Sequence, residues 1–242
     1  MNYHHPGIKF LRSLARRTGL LEIVRRYVHR QDAAYEEPFA RALMGAIVPG
    51  SVIWDIGANV GLYTRQFLEW TGPQGKVVAF EPYSKAFAAL QSEMQRHPCK
   101  DSWEIHQLAL SDCPGEMFLA VDDASPEAVS TTASLGAMPA SGNTGELVRV
   151  STVDAAVKEL GIVAPQVTKI DVEGFEEEVL QGGSAVFSSR ESKHLLIEVH
   201  FRQLEDRCSG NVPARLVSML RDWGYRVEWV DSSHLHAFRP PQ

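Results

Sequence analysis

Val52-Ile53-Trp54-Asp55-Ile56-Gly57-Ala58-Asn59-Val60-Gly61 is the stretch on which the fold of this chain turns. The short apolar run Ser51–Ile56 stops at a glycine turn, the pattern of a buried parallel strand, and Leu62–Trp70 then reads as a helix. Glycines at 57 and 61 let the backbone turn sharply and approach a ligand closely, and the helix aims its N-terminus at the same place. A dinucleotide site asks for G-x-G-x-x-G, its third glycine allowing close helix packing. Here the spacing is G-x-x-x-G with Asp55 two residues ahead. That suits a ligand carrying an ammonium and a carboxylate rather than a pyrophosphate.

Outward from this turn, strands and helices alternate. Lys76–Phe80 reads as a second strand, Lys85–Arg96 as a helix and Glu104–Leu110 as a third strand. Val153–Leu160 is a helix, Val167–Val172 a fourth strand, Glu176–Gln181 the start of a helix and Leu195–Val199 a fifth strand. Ala214–Trp223 is helical, and Tyr225–Val230 and Leu235–Phe238 are two last strands. Upstream, Glu37–Val48 reads as a helix with Pro38 in its first turn and Pro49-Gly50 at its end. Such alternation predicts an open, mostly parallel sheet with helices on both faces. Ligands of these sheets sit beyond the carboxyl ends of the strands, where strand order reverses. Residues 122–145, rich in Ala, Ser, Thr, Gly and Pro, break the rhythm and read as a long loop between Glu116–Val121 and Glu146–Val150, a lid or binding loop by its length.

The second strand ends in Phe80-Glu81-Pro82, about twenty residues after the glycine turn, where a carboxylate can accept hydrogen bonds from both hydroxyls of a ribose. Ser111 and Asp112, after the third strand, fall where an adenine edge could be read. These residues, with Trp54–Gly61, Ala109-Leu110-Ser111-Asp112 and Lys169-Ile170-Asp171-Val172-Glu173-Gly174, resemble the FkbM family of S-adenosylmethionine (SAM)-dependent methyltransferases, in order over about residues 50–200. The resemblance implies a class I methyltransferase fold, Rossmann-like, and methylation of a hydroxyl on a sugar, polyketide or related small molecule. It further implies that Asp55, Gly57, Asn59 and Gly61 hold the methionine end of SAM and Glu81 its ribose. The N-terminal segment is not part of the pattern, and residues 122–145 are its variable part.

A sulfonium methyl is already activated, so transfer needs in-line positioning and removal of the acceptor hydroxyl's proton. Asp171 and Glu173 alternate at the end of the fourth strand, as Glu198 and His200 do at the end of the fifth, and project together. Of the four, His200 is the general base best matched to neutral pH. Asp171, Glu198 and His200 are also an available site for Mg²⁺ or Mn²⁺, although a metal-free reaction is the favoured reading.

Composition narrows the classes. Hydrophobic residues make up 44% of the chain and charged residues 22%, as in an ordinary globular domain, and 242 residues suffice for one sizeable core. A net charge of −6 argues against general nucleic-acid binding. Residues 1–34 are set apart as a basic N-terminal segment: residues 1–30 hold seven Lys and Arg against Glu22 alone, so +6 sits there and −12 on the rest. Ile8, Leu11, Leu14, Leu21, Val24 and Val28 recur at helical spacing, so residues 8–30 form an amphipathic segment suited to a cap helix or to contact with an anionic membrane surface. Residues 35–242 form the methyltransferase domain. Three scattered cysteines, no apolar run near membrane-spanning length and no signal-peptide core suit a cytoplasmic protein. An NAD-dependent oxidoreductase would use Glu81 equally well but wants the third glycine. An amine methyltransferase wants Asn/Asp-Pro-Pro-aromatic where Asp171-Val172-Glu173-Gly174 stands. A non-catalytic SAM-binding module would not need the polar cluster at 171–200.

Overall fold

The computed structural model describes residues 38–98, 100–121, 133–136, 145–207 and 211–240. The basic segment at 8–30 lies outside them. Two compact units divide the chain at Arg41/Ala42, and the architecture below belongs to the second, Ala42–Gln242. Residues 38–46 form a helix, α1.

Seven strands build the main sheet: β1 (Val52–Ile56), β2 (Lys76–Phe80), β3 (Trp103–His106), β8 (Val167–Ile170), β9 (His194–Glu198), β10 (Arg226–Trp229) and β11 (His234–Phe238). Their order is β10-β11-β9-β8-β1-β2-β3. β11 runs antiparallel to both its neighbours, and the other adjacent pairs are parallel. This is the open α/β sheet that the alternation predicts. Strand order reverses between β1 and β8, so the glycine turn after β1 sits at the switch point.

The strands pair so deeply because their residues are apolar on both faces. Trp54, Ile56, Val78, Phe80 and Ile170 belong to one core cluster with Val153 and Ala156 of α4 (Val153–Leu160), Val179 and Leu180 of α5 (Glu176–Gly182), Phe187 of α6 (Ser184–Ser188), and Leu216 and Leu220 of α8 (Val212–Asp222). Two further helices, α2 (Leu62–Thr71) and α3 (Ser84–Arg96), follow β1 and β2. α2 buries Thr64, Phe67, Leu68 and Thr71. A last helix, α7 (Phe201–Arg207), follows β9.

The expected third strand is a correction. After His106 the chain leaves the main sheet, and Ala109–Leu110 becomes β4 of a second, four-stranded sheet. That sheet has the order β4-β7-β5-β6, with β5 (Gly115–Val121), β6 (Ala133–Gly136) and β7 (Gly145–Ser151). Thus the segment expected as a loop contains a strand, β6, paired antiparallel with β5. Ala, Ser, Leu and Gly there carry no alternation from which a strand could be read. The fourth strand also stops two residues early, at Ile170, and beyond it Glu173 and Gly174 both take positive φ.

At the switch point Gly57 has φ +81°, and a Cβ on it would collide with the Asp171 carbonyl. Gly57→Ala is therefore expected to destabilise the fold by roughly 2–4 kcal/mol, combining backbone strain with overpacking. A lower midpoint in urea, with unchanged slope, is the expected result.

Candidate active site

β1 and β8 pair in register with Asp55 opposite Lys169, so both side chains project from the same face. Asp55 is 0% exposed and Lys169 3%. The Lys169 ammonium lies 3.5 Å from Asp55 Oδ1 and 3.1 Å from Asp171 Oδ2, and donates to the Gly57 carbonyl at 3.3 Å. Burial alone would lower its pKa, but the carboxylates of Asp171 and Asp55 outweigh burial and hold it above the ordinary lysine value. Asp55 Oδ2 accepts a 2.6 Å hydrogen bond from Thr64 of α2. Asp55 is thus sealed beneath the turn. For the expected contact with the methionine end of a ligand Oδ1 is the remaining acceptor: Oδ2 takes Thr64, and Oδ1 has the 3.5 Å ion pair with Lys169 but no hydrogen bond. Lys169 is the residue that sequence reasoning missed. Its signal was a lone charge inside the apolar strand Val167–Ile170.

Above this pair the turn presents backbone. Gly57 and Ala58 both donate to the Phe80 carbonyl at 3.0 Å, and Gly61, at φ +89°, caps α2. Asn59 has φ +51° and its N–H donates to Glu81 Oε2 at 2.8 Å. Glu81 Oε1 accepts from the Tyr83 N–H, also at 2.8 Å. Burial pushes this carboxyl up to about 7, against the two backbone hydrogen bonds and Lys169, which favour the anion; Asp55 adds a smaller upward push. Gly57, Asn59 and Glu81 line a cleft with Phe80, Tyr83, Leu108, Leu110, Leu119, Asp171 and Glu173. The cleft lies between the strand ends of the main sheet and the second sheet.

Ser111 and Asp112 are not among its lining residues. Because the chain has left the main sheet, the Ser111 N–H donates to Ser151 across β4 and β7, its side chain is buried, and Asp112 is exposed. Leu108 to Leu110 occupy the wall where those two residues were expected.

The four expected catalytic residues do converge. His200 Nε2 faces Glu173 Oε2 at 3.4 Å, Asp171 Oδ1 at 3.7 Å and Glu198 Oε1 at 3.9 Å. Its Nδ1 is 2.7 Å from Glu176 Oε1, a fully buried carboxylate that also accepts from the Gly174 N–H. Burial would lower the His200 pKa, but the bond to Glu176 and the carboxylates of Glu173 and Asp171 prevail and raise it to about 9. These neighbours stabilise the protonated ring, so the expected match of His200 to neutral pH is shifted upward. Glu173 sits at φ +52°, and its Oε2 accepts from Gln203 at 3.0 Å. His234, which no spacing marked as a ligand, joins the edge of the cluster, its Nε2 3.5 Å from Glu198 Oε2 and its Nδ1 2.7 Å from Asp231. Asp171, Glu198 and His200 each offer a ligand atom, all within 4.8 Å of one another.

Residues 55–227 match the model of the methyltransferase FkbM domain. The chain belongs to this methyltransferase family. It is 30% identical over 203 residues to the 31-O-demethyl-FK506 methyltransferase FkbM of Streptomyces tacrolimicus, covering 74% of each chain. It is 25% identical over 170 residues to the hexuronic acid methyltransferase AglP of Haloferax volcanii, covering 70% of this chain and 64% of that one. The crystal structure of methyltransferase FkbM from Methylobacillus flagellatus KT shares the fold with a TM-score of 0.52 at 17% identity, over 78% of this chain and 43% of the other. The chain thus spans less than half of that neighbour's length.

Removing the Lys169 charge leaves the buried Asp55 without its cation and Asp171 with His200 alone. Lys169→Met is expected to cost roughly 3–5 kcal/mol, the scale of breaking a buried ion pair on one side. Chemical denaturation against the parent chain measures it.

Proposed function

We propose that this FkbM-family methyltransferase binds SAM along the Gly57–Gly61 turn and transfers its methyl group to a hydroxyl of a small molecule, a sugar, polyketide or related metabolite. The observation that carries this reading is Glu81. Two backbone N–H groups hold its carboxylate at the end of β2, in the cleft beside the turn, where ribose hydroxyls can donate to it. The hydroxyl acceptor is supported by the name of one relative, which acts on a 31-O-demethylated FK506, and a sugar acceptor by the name of the other, which acts on a hexuronic acid. The polar cluster at the cleft's other end supports catalysis over mere binding.

In the reaction, the acceptor oxygen forms a bond to the methyl carbon as the carbon–sulfur bond breaks, and sulfur keeps the electron pair. The acceptor's proton goes to Glu173. This residue lines the cleft, whereas His200 is not among the lining residues and spends Nδ1 on Glu176. Its positive φ turns the chain out of β8 at the point where the cleft needs a base. Glu173→Gln is expected to lower kcat by roughly 10²–10⁴-fold with SAM affinity unchanged. Methyl transfer across a panel of saccharide and polyketide acceptors, followed by mass spectrometry, is the test of the reaction; no transfer to any hydroxyl would overturn it.

SAM affinity should depend on pH through Glu81. The ribose hydroxyls donate to the ionised carboxylate, so binding favours the anion and should strengthen as pH rises through about 7 and then level off. Lys169, the cation that acts on Glu81, is held above the ordinary lysine value by its carboxylate neighbours and stays an ammonium across that range. In Glu81→Gln the slope should vanish, with binding weaker by roughly 1–3 kcal/mol. Calorimetry between about pH 6 and 8 reads both effects.

A further inference from the structure

We propose that Asp171, Glu198 and His200 form a binding site for one divalent cation, Mg²⁺ or Mn²⁺, at the inner end of the cleft. Three atoms point inward from three places: Asp171 Oδ1 beyond β8, Glu198 Oε1 at the end of β9, and His200 Nε2 just after it. Nε2 stands 3.7 Å from the first and 3.9 Å from the second. These are open distances, wider than hydrogen bonds, and a small cation between the atoms would draw them together.

The outward atom of each side chain is held by a different buried group. Asp171 Oδ2 accepts from Lys169 at 3.1 Å, Glu198 Oε2 lies 3.5 Å from His234 Nε2, and His200 Nδ1 lies 2.7 Å from Glu176 Oε1. Lys169, His234 and Glu176 are 3%, 1% and 0% exposed. A carboxylate behind an imidazole fixes the ring and raises its basicity as a ligand, the recurring outer shell of metal-bound histidine. Here each inward atom has such a support, so the three are aimed before any ligand arrives.

Charge points the same way. With Asp55, Glu173 and Asp231 included, six carboxylates meet one ammonium and two imidazoles. Even with both rings protonated, three negative charges remain over, and a bound cation would take the place of the Nε2 proton of His200. Two carboxylate oxygens and one imidazole nitrogen, with no sulfur, suit a hard cation that keeps open positions for water or substrate. Of the three, Asp171 lines the cleft and joins the site to it. The use of the cation in catalysis, holding the acceptor oxygen and easing loss of its proton to Glu173, rests on the methyl-transfer reading above. The existence of the site does not.

The test is Mn²⁺ binding to the full chain, stripped with chelator, without SAM or acceptor. Electron paramagnetic resonance titration should show one bound ion, and electron spin echo envelope modulation should show coupling to one imidazole nitrogen. Glu198→Gln and His200→Ala should each weaken binding at least tenfold, and His200→Ala should remove the nitrogen coupling. Glu176→Gln should weaken it by roughly 10–100-fold while the coupling stays, as for loss of an outer-shell partner. Absence of binding at millimolar Mn²⁺, or bound Mn²⁺ without nitrogen coupling in the parent chain, overturns the proposal. The nitrogen signal needs no variant, so a variant that fails to fold leaves the test intact. SAM binding and chelator-resistant methyl transfer without Mn²⁺ binding would refute this site and leave the proposed function standing. Mn²⁺ binding with no SAM affinity would do the reverse.

Discussion

The Lys169 ammonium lies between two carboxylates and a carbonyl under the switch point of the sheet, and most of the site is arranged around it. Asp55 is fully enclosed, and a buried carboxylate without a partner costs several kcal/mol. Lys169 supplies that partner from the directly opposed position on β8, and its remaining donors reach Asp171 and the Gly57 carbonyl. One cation therefore ties together the last turn of β1, the glycine turn and the first residue beyond β8. Thr64 adds α2 to the same knot through Asp55. The stem of Lys169 is as tightly enclosed as its charge, and the Tyr63 ring lies 5.3 Å from the ammonium.

This arrangement explains how much could be read from the sequence. The strands β1, β2, β8 and β9 were legible because each is a short apolar run that ends at glycine or an acid, and that pattern has few alternatives at such length. Gly57, Asn59, Gly61 and Glu81 were legible for a related reason: a turn that must approach a ligand by its backbone restricts residue type, and so does a strand end that must present a carboxylate. The four acceptor-end residues also came together as their alternation suggested. What failed was whatever depended on a partner remote in sequence. The partner of Asp55 is Lys169, 114 residues later, and nothing near Asp55 in the sequence announces it. His200 looked like a neutral base until Glu176 stood behind it.

The second sheet was illegible for another reason. Glu104–Leu110 is continuous in hydropathy, and nothing local says that its first part pairs with β2 while its end pairs with β7. That choice is made by tertiary packing. Ala109, Leu119, Val148 and Val150 form their own apolar cluster with Tyr83, Ala86 and Phe175. The departure moves Ser111 out to β7 and leaves Leu108 to Leu110 as an apolar cleft wall, a surface better suited to the flat face of an adenine than to its polar edge.

The two ends of the cleft are not independent. Asp171 donates its N–H to the Ile56 carbonyl, its own carbonyl packs against Gly57, and its carboxylate serves both Lys169 and the cluster around His200. The backbone that would hold the cofactor's methionine end is thus in direct contact with the backbone that carries the acceptor-side acid. Methyl transfer needs the acceptor oxygen, methyl carbon and sulfur nearly in line, and misplacement by about 1 Å can cost 10²-fold in rate. A loop-to-loop arrangement would leave that distance to thermal motion. Joining both ends to the β1–β8 seam sets it by strand pairing, the stiffest element available, and leaves acceptor choice to parts of the chain that can vary without disturbing it.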